Sequence, residues 1–274
     1  MKKTNLVLID ADGLIYHSSK DLLQQSIEIL DEKINNILLQ TQANEYILFI
    51  SEGRYFRSDI SEDYKSNRKK HPSQLKWLKT LKNYLKEQWG AFSMQSVESD
   101  DLCAYYLKNP PEGYDVILSS PDKDLLQAIP SKGNGHFNYT YKIKEESKGK
   151  EFFTDEDVIK GWWIQTSESE AHNFRKMQMI VGDTADSIKS IEGRGEAYWK
   201  KLSADTVPSW GDILQEYIVK YGETLGIYNF QKSYRMLHLL ETEEEFITEV
   251  GYMSLPTEFQ KVISPTKEEI KIDF

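Results

Sequence analysis

Acidic side chains stand at both ends of a very apolar stretch in the middle of the chain. Glu98-Ser99-Asp100-Asp101 precedes the apolar run Tyr114–Leu118, and Asp122-Lys123-Asp124 follows it. An apolar run of this length is typical of a buried strand, and open α/β sheets build their sites where such strands end. Carboxylates packed together stay ionised only when cations offset their charge. Because oxygen ligands suit Mg²⁺ or Mn²⁺ better than Zn²⁺, the pattern predicts a divalent-metal site for phosphoryl transfer.

Two earlier strands are predicted to deliver acids to the same edge of a sheet. Leu6–Ile9 is apolar and is followed by Asp10, and Tyr46–Ile50 is apolar and is followed by Glu52. Between them, residues 26–42 show the apolar spacing of a helix, so strand, helix and strand form a parallel βαβ unit. The fold class is therefore predicted to be α/β, with a mostly parallel central sheet flanked by helices.

The remaining elements are predicted from local patterns. Residues 92–97 are predicted to form a third strand that leads into a helix ending near Lys108, and residues 137–143 to form a solvent-facing hairpin strand. Thr154 and Asp157 resemble the cap of a helix over residues 158–165. Further helices are predicted over Glu170–Val181, Trp210–Tyr221 and Phe230–Leu240.

Charge is unevenly distributed along the chain. The 274 residues carry 44 acids and 34 Lys and Arg, a net charge of −10, yet residues 64–86 hold eight Lys and Arg and no acid. An acidic body with one basic segment can hold metal ions in one part and nucleic-acid phosphates in another. A single cysteine excludes an intramolecular disulfide, and no apolar run approaches a membrane span. These features predict a cytoplasmic protein with no membrane partner.

Five motifs in a fixed order resemble those of the bacteriophage 5′ nucleases, a family that includes flap endonucleases and the nuclease domain of bacterial DNA polymerase I. In chain order they are Asp10 with Leu14 and Tyr16, Phe56-Arg57 with Tyr64-Lys65-Ser66-Asn67-Arg68, Glu98-Ser99-Asp100-Asp101, Asp122-Lys123-Asp124-Leu125, and Gly182-Asp183-Thr184-Ala185-Asp186-Ser187-Ile188. Ile191–Gly195 then stands where the family has a helix-three-turn-helix hairpin. The resemblance implies a PIN-like 5′-nuclease fold with a C-terminal helical region.

The resemblance also implies an activity and its cofactors. The expected reaction is hydrolysis of DNA phosphodiester bonds, as a 5′-3′ exonuclease or flap endonuclease, with RNA primers in RNA–DNA hybrids as a further substrate. Two Mg²⁺ or Mn²⁺ ions would activate a water and stabilise both oxygens of an in-line displacement. One ion is assigned to Asp10, Glu52, Glu98, Asp100 and Asp101, and the other to Asp122, Asp124, Asp183 and Asp186. A monovalent cation such as K⁺ is expected at the hairpin.

Basic side chains are assigned to the DNA by the same resemblance. Lys65 and Arg68, with Tyr64 of the same motif, would face the scissile phosphate and offset its charge. Arg57 would assist them, or would instead fix the acids through ion pairs. The residues expected to bind nucleic acid are Lys69, Lys70, Lys76, Lys79, Gly193 and Gly195.

The resemblance gives the chain two parts. A nuclease core over residues 1–160 would carry a basic arch at about 64–90, and a helical DNA-binding region over residues 161–274 would carry the hairpin at about 182–197. The protein is expected to be a monomer that acts on DNA with 5′ ends or flaps. A bacteriophage origin is expected from the short, free-standing format.

The chain departs from the family pattern at two positions. Glu52 stands where aspartate is usual, so its metal contact could be indirect, and Glu196 follows the second hairpin glycine where lysine is usual. Two other functions stay open. In a haloacid-dehalogenase-like phosphatase, Asp10 would be the nucleophile and Asp12 the acid and base, because Asp10-Ala11-Asp12-Gly13 resembles the start of that family. The second open function is that of a DNA-binding protein that has lost catalysis.

Overall fold

A six-stranded sheet forms the centre of the protein in the computed structural model, which describes residues 3–68, 76–128, 135–150, 152–256 and 258–262. The strand order is β5-β4-β3-β1-β2-β6. Neighbouring strands are parallel from β2 through β1 and β3 to β4, whereas β5 and β6 pair antiparallel at the two edges. The strands are β1 Thr4–Asp10, β2 Glu45–Phe49, β3 Tyr114–Ser119, β4 His136–Ile143, β5 Val158–Ile164 and β6 Gln260–Lys261. The predicted mixed α/β fold with a mostly parallel sheet is confirmed.

Helices cover the sheet and continue into a helical C-terminal part. Those next to the sheet are α1 Asp12–Ser18, α2 Leu23–Gln40, α3 Phe56–Ile60, α4 Leu78–Trp89 and α5 Ser99–Lys108. Those that follow β5 are α6 Glu168–Val181, α7 Glu196–Leu202, α8 Trp210–Tyr221, α9 Glu223–Leu237 and α10 Glu243–Val250. Short 3₁₀ turns lie at Lys123–Ala128, Glu145–Ser147 and Asp155–Asp157. In the part of the chain that the structure describes, no helix is both long and apolar enough to cross a membrane.

Alternating side chains of β1 build two cores, one on each face of the sheet. Leu6 and Leu8 pack with α5 on one face, while Val7 and Ile9 pack with α2 and α4 on the other. All four are fully buried, as expected for a central parallel strand covered on both faces. The predicted βαβ unit is confirmed, because β1 and β2 pair in parallel with α2 between them.

The helices that follow β5 form a third core of their own. Met179 and Ile180 of α6 pack against Ile213 and Tyr217 of α8 and against Met236 of α9. Helix α8 begins at Trp210, as predicted, after Ser209, whose hydroxyl accepts a hydrogen bond from the Asp212 N–H. Helix α9 begins at Glu223, seven residues before the predicted start at Phe230, and ends at Leu237.

The predicted strand over residues 92–97 is wrong. Phe92 forms a single bridge with Phe49 at the end of β2, and the chain then turns away from the sheet. Ser96 adopts a left-handed φ of 66°, which breaks an extended run. The segment is a connection that brings Glu98 to the start of α5.

The predicted helix over residues 158–165 is also wrong. The capping box of Thr154 and Asp157 is present, but it starts only a 3₁₀ turn, and the chain continues as β5. Valine, isoleucine and tryptophan dominate this segment, and these residues favour strands. β5 pairs with β4, whose Phe137 and Tyr139 are buried in the core, so β4 is not the solvent-facing strand predicted for residues 137–143.

Candidate active site

Asp10 lies at the carboxyl end of β1, where the neighbouring strands also end. Its carboxylate accepts hydrogen bonds from the hydroxyls of Ser99 and Ser120, each at 2.8 Å. The Tyr139 hydroxyl donates to the Asp10 carbonyl at 2.7 Å, and it passes so close to Gly13 that a Cβ there would collide with it. Burial, followed by repulsion from Asp12 and Asp122, raises the pKa of Asp10 to about 7. Asp10 is therefore rigidly held in a crowded acidic environment.

A second group of carboxylates stands at the start of α5. Oxygen atoms of Glu98, Asp100 and Asp101 lie within 4.8 Å of one another, close enough to share one cation. Burial, followed by repulsion from Glu98 and Asp101, raises the pKa of Asp100 well above its ordinary value. The positive end of the helix dipole stabilises acids in this first turn but does not remove their mutual repulsion.

Arg57 neutralises part of this group from inside the protein. The side chain is 2% exposed, and its guanidinium donates to Glu98 at 2.9 Å and to both oxygens of Asp101 at 2.7 Å. Its remaining bonds go to the carbonyls of Met236 and His238 at 3.1 and 2.7 Å. These contacts fit the second role predicted for Arg57, an ion-pair partner that fixes the acids. Asp101 is fully buried and also accepts from the Leu240 N–H at 3.0 Å, so it orients Arg57.

Tyr64, Lys65 and Arg68 lie beside the acids on a loop that follows α3. The Tyr64 hydroxyl donates to Glu98 at 2.7 Å, Lys65 pairs with Glu98, and Arg68 pairs with Asp186. Lys65 adopts a left-handed φ of 58°, fixed by its backbone N–H, which donates to the Asp186 carbonyl at 2.9 Å. Non-glycine residues seldom adopt this conformation, and where they do it commonly marks a functional site.

A third acidic group contains Asp122, Asp124 and Asp183. Burial, followed by repulsion from Asp122 and Asp183, raises the pKa of Asp124 to about 8. Asp124 accepts a hydrogen bond from Gln178 at 2.8 Å. The buried Oδ2 of Asp183 has no hydrogen-bond donor among the described residues, and the Lys123 ammonium lies 3.6 Å away. The fourth predicted member, Asp186, is held by Arg68 instead.

The chemistry of these groups fits divalent cations. Every candidate ligand is a carboxylate oxygen, the donor type that Mg²⁺ and Mn²⁺ prefer and that zinc sites seldom use alone. Burial and mutual repulsion raise the pKa values of Asp10 and Asp124, and the buried Oδ2 of Asp183 has no hydrogen-bond donor among the described residues, so a bound cation would stabilise these carboxylates in their ionised form. A cavity of about 350 Å³ opens between the groups and is lined by Asp10, Asp12, Lys65, Arg68, Glu98, Asp100, Asp122 and Lys123 among others.

The Glu52 side chain is turned toward α4. Its carboxylate accepts from Lys86 at 2.5 Å and from the Ser93 hydroxyl at 2.8 Å, and it is not among the described residues that line the cavity. Asp12 does line it, although it was not predicted as a metal ligand. The signal was the Asp-x-Asp spacing after β1, which was interpreted only as part of a phosphatase motif.

The predicted DNA-binding residues lie away from the cavity or outside the described residues. Lys76 and Lys79 are exposed at and near the start of α4, whereas Lys69 and Lys70 fall in the part of the chain that the structure does not describe. Gly193 and Gly195 line a separate groove of about 810 Å³. Around both glycines, the space where a Cβ would stand is open.

The raised carboxyl pKa values predict how stability depends on pH without metal. Asp10 and Asp124 bind protons in the folded state up to about pH 7 and 8, whereas the unfolded chain releases them near 3.8. Stability is therefore lost as pH rises through the folded pKa values. Scanning fluorimetry in EDTA should show the melting temperature falling by on the order of 5 °C between about pH 5.5 and pH 8.5. Asp124→Asn should flatten this slope, and a melting temperature that rises with pH would contradict the assignment.

The chain is similar in sequence to known nucleases and polymerases. The chain is 26% identical over 208 residues to DNA polymerase I of Rhizobium leguminosarum, covering 74% of this chain and 18% of that protein. It is 25% identical over 212 residues to the 5′-3′ exonuclease of Mycoplasmopsis pulmonis, covering 73% of this chain and 66% of that protein. The chain thus spans less than a fifth of the polymerase and about two thirds of the exonuclease.

Solved structures support the fold. The flap endonuclease of bacteriophage T5, crystallised with DNA and metal ions, superposes with a TM-score of 0.63 at 16% identity, covering 90% of this chain and 92% of that one. A family profile described as the 5′-3′ exonuclease, N-terminal resolvase-like domain matches residues 5–162. These findings do not favour the phosphatase alternative. From its acidic sheet edge, its fold and this match over more than half its length, the chain belongs to the 5′-3′ exonuclease family.

Proposed function

We propose that this protein hydrolyses phosphodiester bonds of DNA from 5′ ends or flaps with the help of divalent cations. The observation that carries the proposal is the pairing of a carboxylate-lined cavity with two cationic side chains, Lys65 and Arg68, at its mouth. Acids alone would repel a DNA phosphate, whereas bound cations together with Lys65 and Arg68 reverse the sign of the site. The named relatives include 5′-3′ exonucleases, and the T5 flap endonuclease was crystallised with DNA and metal ions.

Two Mg²⁺ or Mn²⁺ ions are the proposed cofactors. Asp10, Glu98 and Asp100 would hold one of them, and Asp122, Asp124 and Asp183 the other, while Asp101 and Asp186 would act through the arginines that they bind. When bound, such ions supply an activated water and neutralise charge during in-line displacement at phosphorus. The protein's own part is to hold these oxygens in place and to position the phosphate.

Lys65 and Arg68 would bind the scissile phosphate. In the absence of metal and DNA they pair with Glu98 and Asp186, so they act as internal counter-ions. Glu98 is a proposed metal ligand, so Lys65 would exchange this partner for the DNA phosphate, whereas Asp186 would keep Arg68 oriented toward it. Tyr64, which donates to Glu98, would keep that carboxylate oriented during the exchange.

The DNA beyond the cut would contact two surfaces. Exposed Lys76 and Lys79 would contact single-stranded DNA, together with Lys69 and Lys70 of the proposed arch at 64–90. The open backbone at Gly193 and Gly195 would let the hairpin at 182–197 approach the phosphates of the duplex. The core would then span residues 1–160 and the DNA-binding helices 161–274.

Further parts of this proposal rest on the sequence and on the family resemblance. They are a K⁺ ion at the hairpin, cleavage of RNA primers in RNA–DNA hybrids, a monomeric state, a bacteriophage origin and action in the cytoplasm, which is that of the host cell if a phage encodes the chain.

The first experiment is a cleavage assay. Duplex, flap and RNA–DNA substrates labelled at one end would be incubated with Mg²⁺ or with EDTA. Metal-dependent release of short products from the 5′ end is expected, and the three rates rank the substrates. Hydrolysis of a phosphate monoester without DNA cleavage would support the phosphatase instead. Flap binding without any cleavage would indicate a nuclease fold that has lost catalysis.

Lys65→Ala and Lys79→Ala should separate chemistry from binding. Lys65 touches the acidic site, so its loss should lower the single-turnover rate by about 10²-fold with little change in Kd. Lys79 is exposed on α4, so its loss should weaken binding and lower the salt dependence by about one counter-ion. Cleavage rates and fluorescence-anisotropy titrations at several salt concentrations test both. A dominant effect of Lys79→Ala on the chemical step would contradict these roles.

A further inference from the structure

We propose that Asp12 supplies the carboxylate that Glu52 was predicted to bring to the end of β2, and that Asp12 is a ligand in the metal site. The Glu52 carboxylate instead contacts α4. The proposal rests on the nuclease function proposed above. In this assignment Asp12, after β1, takes the ligand role expected of the acid after β2, and Glu52, which stands where aspartate is usual, contacts α4 instead.

The carboxylate of Asp12 lies at the end of β2, although the residue follows β1 in the chain. The backbone N–H of Ser51, two residues beyond β2, donates to both oxygens of Asp12, at 3.2 and 3.1 Å. An acid in the first turn of a helix is commonly a cap. Asp12 is not one here, because its described bonds lead across to Ser51, Ser99 and Lys82.

Asp12 also faces the same space as the other acids. The Ser99 hydroxyl lies 2.8 Å from an Asp10 oxygen and 3.4 Å from an Asp12 oxygen, so one hydroxyl holds the two carboxylates side by side. Both residues line the cavity of about 350 Å³ together with Glu98 and Asp100. The Asp12 side chain is 25% exposed, which leaves it accessible to an entering ion.

Glu52 is turned toward a different partner. One of its oxygens accepts from both Lys86 and Ser93, and these contacts direct the carboxylate toward α4 and the connection that follows it. The extra methylene of glutamate gives the side chain more reach toward Lys86. Glu52 thereby becomes a positioning residue for α4, which belongs to the proposed arch.

Two lysines one helical turn apart on α4 each form an ion pair with one of these two acids. Lys82 pairs with Asp12 at 3.2 Å, and Lys86 pairs with Glu52 at 2.5 Å. Lys82 is mostly buried, and its ammonium supplies the positive charge beside Asp12 that a metal ion would otherwise supply. A divalent cation would compete with Lys82 for that carboxylate, whereas it would leave the pair of Lys86 and Glu52 intact.

The test measures metal affinity without DNA, by titrating Mn²⁺ into the full-length protein and following free Mn²⁺ by electron paramagnetic resonance. Asp12→Asn should weaken Mn²⁺ binding at one site by at least about tenfold. Glu52→Gln should leave Mn²⁺ affinity within about threefold of the original value and weaken flap binding, because α4 loosens. Asp155→Asn, at a 91% exposed side chain, is the control and should change neither. Glu52→Gln losing Mn²⁺ while Asp12→Asn keeps it would overturn the proposal.

A second pair of variants keeps the test valid if Asp12→Asn fails to fold. Lys82→Met removes the competitor at Asp12, and Lys86→Met removes the equivalent partner of Glu52, so the lysines are matched controls for each other. Lys82→Met should tighten Mn²⁺ binding several-fold more than Lys86→Met does. The opposite order would assign the ligand role to Glu52 and overturn the proposal.

Failure of the inference and failure of the proposed function are distinguishable. Flap cleavage by the unaltered protein tests the function, whereas Mn²⁺ affinity of the variants tests Asp12. Cleavage that survives in Asp12→Asn with unchanged Mn²⁺ affinity would reject Asp12 and keep the nuclease. A phosphatase acid and base at position 12 would lose turnover without losing Mn²⁺, which also counts against the ligand role.

Discussion

Asp183→Asn is expected to lower the rate of flap cleavage by on the order of 10³-fold while the protein stays folded. The buried Oδ2 of Asp183 has no hydrogen-bond donor among the described residues, so its loss of charge removes chiefly the ion pair with the exposed Lys123, 3.6 Å away. An ion pair with an exposed partner contributes little to stability. Asp183 also repels Asp124, and this repulsion adds to burial and to repulsion from Asp122 in raising the pKa of Asp124. The amide should therefore relieve electrostatic strain in the metal-free protein while removing an oxygen that a cation needs.

Three measurements on Asp183→Asn test whether Asp183 belongs to the metal site. Single-turnover cleavage in Mg²⁺ should show the loss, the melting temperature in EDTA should be unchanged or higher, and the Kd for a flap in EDTA should be within a few-fold of the original. Asp205→Asn is the matched control, because Asp205 is an exposed acid in the same helical part. Cleavage within tenfold of the unaltered protein would remove Asp183 from the metal site.

Arg57→Met should destabilise the protein by about 3–5 kcal/mol, the cost of breaking a buried ion pair from one side. Arg57 is 2% exposed and offsets the charges of Glu98 and Asp101, which are equally buried. Methionine fills part of the volume but leaves Asp101 without its counter-ion, Glu98 with Lys65 alone, and two backbone carbonyls without the guanidinium donor. Urea unfolding measures the loss, and cleavage should fall as well because Glu98 is no longer fixed.

Arg54→Met provides the comparison for Arg57→Met. Arg54 pairs with Asp59 at 2.7 Å, but the two side chains are 68% and 69% exposed. An exposed pair of this kind contributes at most about 1 kcal/mol to the free energy of unfolding. Equal losses in the two variants would mean that Arg57 does not neutralise the acids as described.

The sheet and most of the acidic site could be predicted from the sequence because they depend on local patterns. Apolar runs such as Leu6–Ile9 and Tyr114–Leu118 specify buried parallel strands, and strand ends of a parallel sheet share one edge. Asp10 and Asp122 therefore meet near the start of α5, although more than a hundred residues separate them in the chain.

The errors arose where a local pattern is ambiguous or where distant contacts decide. A capping box predicts that a helix starts, but it does not set its length, and the β-branched and aromatic residues after Asp157 favoured β5. Spacing also cannot show which way a side chain turns. Lys86 and Ser93 donate hydrogen bonds to Glu52 outside the cavity, and the Ser51 N–H donates to the Asp12 carboxylate at the end of β2.

The contacts of Arg57 and Lys65 limit how this protein can be divided or recombined. Arg57 lies in the profile-matched region, 5–162, yet it donates to the carbonyls of Met236 and His238. The backbone of Lys65 is held by Asp186, which is also beyond that region. A fragment ending at residue 162 would lose these partners, the end of β5 and all of β6. A transplanted nuclease module must therefore extend at least to Leu240, whose N–H holds Asp101.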